Sequence, residues 1–245
     1  MTRITRITRI FRAAGAACLA LALPLNAARA HDAINGAQRL AYIGKLDAAH
    51  RTANSNAPTA VRAAALFQIG STLDELRELL NEDIISHGKT QGLETSLLVA
   101  QLDAMPTRLV LSPRSGTYAA NLKPYRDALA LDAQAGFANR ARQQILKGQF
   151  YDSFSDDPLK PHAQSRDQLL EMIATGEALL RERDRALDVQ EIVFILAIHY
   201  LQAHTSGDLP KAQARERFAQ LLHEFRLEYP NSLKLATLEA LAPAK

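Results

Sequence analysis

Residues 189–201 read VQEIVFILAIHYL, and from Ile192 onward this run is apolar on nearly every side of a helix. His199 and the hydroxyl of Tyr200 are its polar interruptions. A helix that is apolar all round is buried all round. The run is too short to span a bilayer, which takes roughly 20 residues. The sequence therefore predicts a central core helix.

A second helix is predicted after the break at Gly207 and Asp208, because Pro210 favours a first helical turn. Its apolar side chains recur at helical spacing, its charged side chains occupy other faces, and Pro230 ends it. The two segments together predict a helical hairpin. The predicted core of this hairpin consists of Phe194, Ala197, Tyr200, Phe218, Leu222 and Phe225.

Several residues of this hairpin follow a known repeat pattern. A small residue stands at Ala197, Ala214 and Phe218 form an Ala-x3-Phe ridge, and residues 229–232 read YPNS. With the Gly-Asp turn, this pattern resembles a tetratricopeptide (TPR) unit, in particular the longer-helix variant of bacterial envelope proteins, over about 40 residues. The turn at residues 202–205 is longer than in that family. The resemblance implies a surface that binds a protein or a peptide, and it implies no activity.

The first 30 residues are expected to be a cleaved signal peptide. Four arginines precede an apolar run at residues 13–25, and Ala28-Arg29-Ala30 matches a small-x-small cleavage pattern. Cleavage between Ala30 and His31 predicts a periplasmic mature protein. No transmembrane segment is expected in that mature chain.

Removal of this leader changes the charge balance. The full chain has 29 Lys and Arg against 26 Asp and Glu, and five of the arginines lie in the leader. The mature chain then carries 24 basic and 26 acidic residues, so no basic surface for nucleic acid is expected. The single cysteine, Cys18, also leaves with the leader, and the mature protein has no disulfide.

Residues 31–245 are predicted to form one all-α domain. The expected architecture is antiparallel helix pairs stacked as a TPR-like α-solenoid or as an irregular helical bundle. Thr72 and Glu75 form a capping-box pattern that predicts a new helix, and Ser165 and Gln168 form another. Residues 109–111 (LVL) are expected to be an extended connector, because no second strand is evident to pair with them.

An acidic, proline-bounded loop is the first candidate for ligand contact. Residues 151–162 read YDSFSDDPLKPH and fail the spacing of a calcium-binding loop. Long loops often carry functional residues. The candidate partner-binding residues are Tyr151, Asp156, Asp157 and His162.

A metal site is an alternative, because His31 would be the mature N-terminus. Its α-amine and imidazole could chelate copper with a second histidine, for which His50, His87 and His162 are the candidates. No paired histidine spacing supports this site. His199 is expected to be a core histidine with one hydrogen bond.

No recognisable catalytic motif is present in the sequence. Gly88-Lys89-Thr90 resembles the end of a phosphate-binding loop, but Asp83 stands where that pattern requires glycine. A helical envelope hydrolase with a single carboxylate acid stays an alternative without a residue assigned to it. The sequence therefore favours a non-enzymatic periplasmic adaptor or accessory protein that needs no cofactor. It would bind a partner protein or peptide in a groove between helix pairs.

Overall fold

The computed structural model describes residues 34–87, 92–112, 116–155, 165–182 and 184–242. Within these residues the chain is almost entirely helical, which confirms the prediction of an all-α fold of packed helices. No helix in these ranges is both long enough and apolar enough to cross a membrane. The helices are α1 (Gly36–Ala53), α2 (Thr59–His87), α3 (Leu93–Asp103), α4 (Lys123–Leu131), α5 (Ala138–Ser155), α6 (Arg166–Glu182), α7 (Val189–Ser206), α8 (Lys211–Glu228) and α9 (Leu233–Leu241), and the strands are β1 (Val110–Leu111) and β2 (Tyr118–Ala119).

The described residues divide into two compact units, residues 34–148 and residues 149–242. The first part of α5 belongs to the first unit and its last turns belong to the second. The assignment of residues 31–245 to a single domain stays a prediction.

The first unit is organised around the long helix α2. Helices α1 and α4 pack against α2, and α3 packs against α1. Leucine and isoleucine side chains from α1, α2 and α3 fill the space between these helices. Fully buried members of this core are Leu46, Ile69, Leu73, Leu76, Leu80, Leu98 and Leu102.

The prediction that a capping box at Thr72 starts a new helix is wrong. Helix α2 runs without a break through this position, and Thr72 is fully buried with no hydrogen-bond partner for its hydroxyl. Ile69 and Leu76 lie in the same core on either side of it. Burial of this continuous apolar face holds the backbone in one helix, so the Thr-x-x-Glu pattern has no helix start to cap.

Residues 109–111 were expected to be an unpaired connector, but two of them, Val110 and Leu111, form a strand. β1 pairs with β2 in an antiparallel ladder, with Val110 opposite Ala119 and Leu111 opposite Tyr118. The side chain of Asn81 in α2 bonds both backbone groups of Tyr118, at 2.6 Å from the N–H and 2.9 Å from the carbonyl. A partner strand of two residues leaves no recognisable alternation in the sequence, which is why it was missed.

The second unit is built around α7. Helices α6, α8 and α9 all pack against α7, and every residue from 191 to 201 is buried, as the apolar run predicts. Gly176 of α6 faces Leu196, and a Cβ at Gly176 would lie 2.7 Å from the leucine side chain. A glycine at this point therefore permits the close approach of α6 to α7.

The ends of these helices follow local sequence signals. Ser165 and Gln168 form the expected capping box, with reciprocal bonds of 3.0 and 3.2 Å. Gly207 ends α7 with a φ of 81°, a conformation that favours glycine. The longer turn expected at residues 202–205 is not a turn, because α7 continues helically to Ser206.

Two glycines offer a matched test of packing in the first unit. A Cβ at Gly70 would lie 2.8 Å from the buried ring of Tyr125, whereas a Cβ at Gly44 would meet nothing within 4 Å. We expect Gly70→Ala to lower the free energy of unfolding by about 1 to 2 kcal/mol, because overpacking outweighs the gain in helix propensity. Gly44→Ala should raise it by about 0.5 to 1 kcal/mol. Urea titration followed by circular dichroism measures both, and a stabilised Gly70→Ala protein would contradict this packing.

Candidate functional site

A cleft in the second unit is the strongest candidate for a binding site. It has a volume of about 540 Å³ and is lined by residues of α6, α7 and α8 and by Tyr229 after α8. Small-molecule and side-chain binding sites commonly have volumes of roughly 300 to 1,000 Å³. The lining residues are Glu177, Leu180, Arg181, Val189, Val193, Arg217, Glu224, Glu228 and Tyr229.

One side of the cleft is held by an ion pair between α6 and α8. Arg217 donates from Nε to Oε1 of Glu177 at 2.7 Å and from Nη2 to Oε2 at 3.0 Å. Tyr200 of α7 donates its hydroxyl to the same Oε1 at 3.0 Å. Glu177 thus joins three helices, and both ends of the ion pair are already engaged.

The electrostatics of this ion pair keep Glu177 charged. Burial raises the pKa of Glu177, but the hydrogen bonds and the charge of Arg217 outweigh burial, and the net pKa lies below its usual value. Burial, followed by the nearby Glu177 carboxylate, raises the pKa of Tyr200 to about 12. At neutral pH this cluster therefore contains a carboxylate, a guanidinium and a neutral phenol.

The cleft has an apolar wall, formed by Leu180, Val189 and Val193. Val193 is buried and Val189 is partly exposed at the start of α7. These aliphatic side chains offer a surface against which a ligand could bury apolar atoms.

The opposite region is an acidic mouth, formed by Glu224, Glu228 and Tyr229. Glu224 lies 3.6 Å from Nη1 of Arg217 with half of its side chain exposed, and Glu228 is exposed. Burial raises the pKa of Tyr229, and the negative charges of Glu228 and Asp188 raise it further. The phenol of Tyr229 therefore sits in a region of negative potential.

Tyr151 lies outside this cleft, in a buried polar cluster. The loop predicted from residue 151 onward is wrong for residues 151–155, because α5 continues through them to Ser155. Its hydroxyl donates to Oε1 of Glu191 at 2.6 Å, and Lys234 of α9 binds the other carboxylate oxygen of Glu191. The ammonium of Lys234 also lies 5.2 Å from the ring centre of Phe194. The cluster ties α5, α7 and α9 together, and the contact of Tyr151 with a ligand stays a prediction.

The other residues of the candidate loop, Asp156, Asp157 and His162, lie outside the described residues, as does His31. His50 is part of α1, where its Nε2 atom is buried without a partner and burial lowers its pKa. Within the described ranges, no group of three or more His, Cys, Asp or Glu side chains is placed to hold a metal ion. The copper site at His31 stays a prediction.

The predicted core residues of the hairpin lie inside the second unit. Phe194, Ala197 and Phe225 have no exposed surface. Phe218, Leu222 and Tyr200 are each less than one tenth exposed. His199 is also fully buried, and its Nδ1 atom lies 2.8 Å from Oε1 of Gln202.

The cleft residues were missed at the level of sequence because they come from separate helices. Glu177 and Arg217 are 40 positions apart, and no local pattern joins them. One part of the cleft has a sequence pattern. Glu224 and Glu228 are four positions apart, which places two carboxylates on the same helix face.

A comparison of the chain with protein-family models, curated proteins and solved structures finds no match. The cleft must therefore be interpreted from its own geometry.

Removal of the Lys234 ammonium from the buried cluster should lower the stability of the protein. We expect Lys234→Met to lower the free energy of unfolding by about 3 to 5 kcal/mol, because the buried Glu191 carboxylate loses its counter-ion. Urea titration measures this change. The double variant Glu191→Leu/Lys234→Met should recover most of the loss, and Lys211→Met at an exposed site should be neutral. Equal losses in the single and double variants would contradict the pairing.

The buried histidine predicts a dependence of stability on pH. Burial lowers the pKa of His199 to about 4, and only the bond to Gln202 opposes this. The unfolded chain binds a proton near pH 6.5 and the folded chain does not, so stability falls as the pH drops from 6.5 towards 4. We expect a loss of about 2 kcal/mol between pH 7 and pH 5.

His199→Leu should abolish this part of the pH dependence, and His223→Leu at an exposed site should leave it intact. Urea midpoints at the two pH values measure the difference. A His199→Leu protein that loses as much stability as the wild type would show that another group is responsible.

Proposed function

We propose that this chain is an exported, non-enzymatic helical protein of the cell envelope that binds an extended segment of a partner protein. The segment would lie in the cleft between α6, α7 and α8. The observation that carries this proposal is a cleft of about 540 Å³ with an apolar wall on one side and an acidic mouth on the other.

The size of the cleft supports a segment of chain as the ligand. It is too small for a folded domain to enter, and it suits a few side chains that project from an extended backbone. Interfaces of this kind combine buried apolar contacts with a polar rim. The apolar wall and the acidic mouth offer both.

The protonation state of Glu177 argues against acid catalysis by this residue. A carboxylate that acts as a general acid needs a raised pKa. The pKa of Glu177 is lowered, and its two oxygens are bound by Arg217. This argues against an assignment of Glu177 as the acid of a helical hydrolase.

The cellular setting of the proposal comes from the sequence. The leader at residues 1–30 favours export, with a mature protein that starts at His31 in the periplasm. The resemblance of the α7–α8 hairpin to a TPR unit supports a role in binding a protein or a peptide.

Site-specific photo-crosslinking in the native cells tests this function. The photoreactive amino acid p-benzoylphenylalanine would replace Tyr229 in the full chain, and the matched control would replace Leu227, an exposed side chain two positions away that does not line the cleft. We expect one discrete adduct from position 229 and none from position 227. The absence of an adduct at position 229, or the same adducts from both positions, would refute binding in the cleft.

A further inference from the structure

We infer that the cleft recognises a basic side chain, lysine or arginine, of the partner segment. The aliphatic stem of this side chain would lie along the apolar wall, and its cation would reach the acidic mouth. This inference rests on the proposed function and specifies the chemistry of the partner.

The balance of charge around the cleft favours a cation. Three carboxylates and two guanidinium groups line it. Arg217 forms two hydrogen bonds with Glu177 and a longer ion pair with Glu224, at 3.6 Å from Nη1. One guanidinium is thus shared by two carboxylates, so it balances the negative charge of the acidic mouth only in part.

The second cation of the lining, Arg181, lies on α6 one turn after Glu177, and its charge contributes to lowering the pKa of that carboxyl. Nε of Arg181 donates to the backbone carbonyl of Glu177 at 3.3 Å. Glu228, by contrast, forms no ion pair with any residue in the described part of the chain. A ligand cation would find its counter-charge at Glu228 and Glu224.

The C-terminal ends of two helices at the cleft also favour a cation. Leu180 and Arg181 belong to the last turn of α6, and Glu228 is the last residue of α8. The C-terminal end of a helix carries about half a negative charge from its unpaired carbonyls. Two such ends therefore lie at the cleft, and each has one basic residue in its last turn, Arg181 in α6 and Arg226 in α8, that offsets part of this charge. The N-terminal end of α7 carries partial positive charge. The carboxylate of its N-cap residue, Asp188, compensates this charge, because it accepts from the N–H of Glu191 at 3.0 Å.

The two surfaces of the cleft match the two parts of a basic side chain. Lysine and arginine bury their methylene stems against apolar groups while their charged ends stay in polar surroundings. Tyr229 adds an aromatic ring, the preferred neighbour of a cation among uncharged side chains. An acidic segment would be repelled by Glu224 and Glu228, and a purely apolar segment would desolvate these carboxylates without a partner.

Binding of defined peptides to the leader-less protein tests the inference. Four dye-labelled decapeptides would share the same glycine–serine flanks and differ at the centre of a Leu-X-Leu motif, where X is lysine, arginine, norleucine or glutamate. Fluorescence anisotropy gives each dissociation constant. We expect the lysine and arginine peptides to bind about tenfold more tightly than the norleucine and glutamate peptides, because two exposed charge pairs each contribute up to about fivefold.

Charge-neutral variants locate the effect within the cleft. Glu224→Gln/Glu228→Gln should weaken binding of the lysine and arginine peptides by about tenfold and remove the preference. The matched control Glu171→Gln/Glu216→Gln removes two exposed carboxylates of α6 and α8 outside the cleft and should leave binding unchanged. Far-ultraviolet circular dichroism verifies that both double variants are folded.

Several results would overturn the inference. Equal affinity for all four peptides, preference for glutamate, no binding of the basic peptides at millimolar concentration, or unchanged binding by Glu224→Gln/Glu228→Gln would each do so. The proposed function is judged separately. If the partner adduct at position 229 forms in full yield with both glutamates neutralised, binding in the cleft stands and recognition of a basic side chain does not.

Discussion

The burial of residues 191–201 of α7 is the constraint on which the second unit depends. This part of the helix is apolar on nearly every side, so it must be covered on every side, and α6, α8 and α9 pack against it. The absence of a side chain at Gly176 lets α6 approach Leu196 closely. The cleft lies at the beginning of α7, where Val189 and Val193 contribute to its lining between α6 and α8.

Polar groups carried into the core by α7 are accommodated in two different ways. Glu191 has its partners in Lys234, which binds one carboxylate oxygen, and in Tyr151, which donates its hydroxyl to the other. His199 has one hydrogen bond and an Nε2 atom without a partner, and burial lowers its pKa to about 4, so the imidazole is neutral at pH 7. A buried charge needs a counter-charge, whereas an imidazole can release its proton and avoid most of the desolvation cost.

The two capping-box patterns of this chain show that a local pattern can be overridden by tertiary packing. Ser165 starts α6, because its hydroxyl accepts from the N–H of Gln168, one of the backbone N–H groups that need acceptors at the start of a helix. Thr72 has the same spacing to Glu75, yet it lies inside α2. The apolar face that continues past Thr72 into the core of the first unit outweighs the local signal. The two-residue ladder at Val110 was missed for a related reason, since its partner strand depends on contacts with Asn81 in another element.

The sequence by itself determined that the chain is helical, that residues 192–201 of α7 are buried, and that Ser165 begins a helix and Gly207 ends one. These features follow from periodicity and from backbone preferences, which act over a few residues. Only the tertiary structure decided that Glu177 meets Arg217 across 40 positions and that Tyr151 turns inward to Glu191. Helical periodicity tells which face a side chain occupies, but the neighbour of that face is set by how the buried surfaces of several helices fit together.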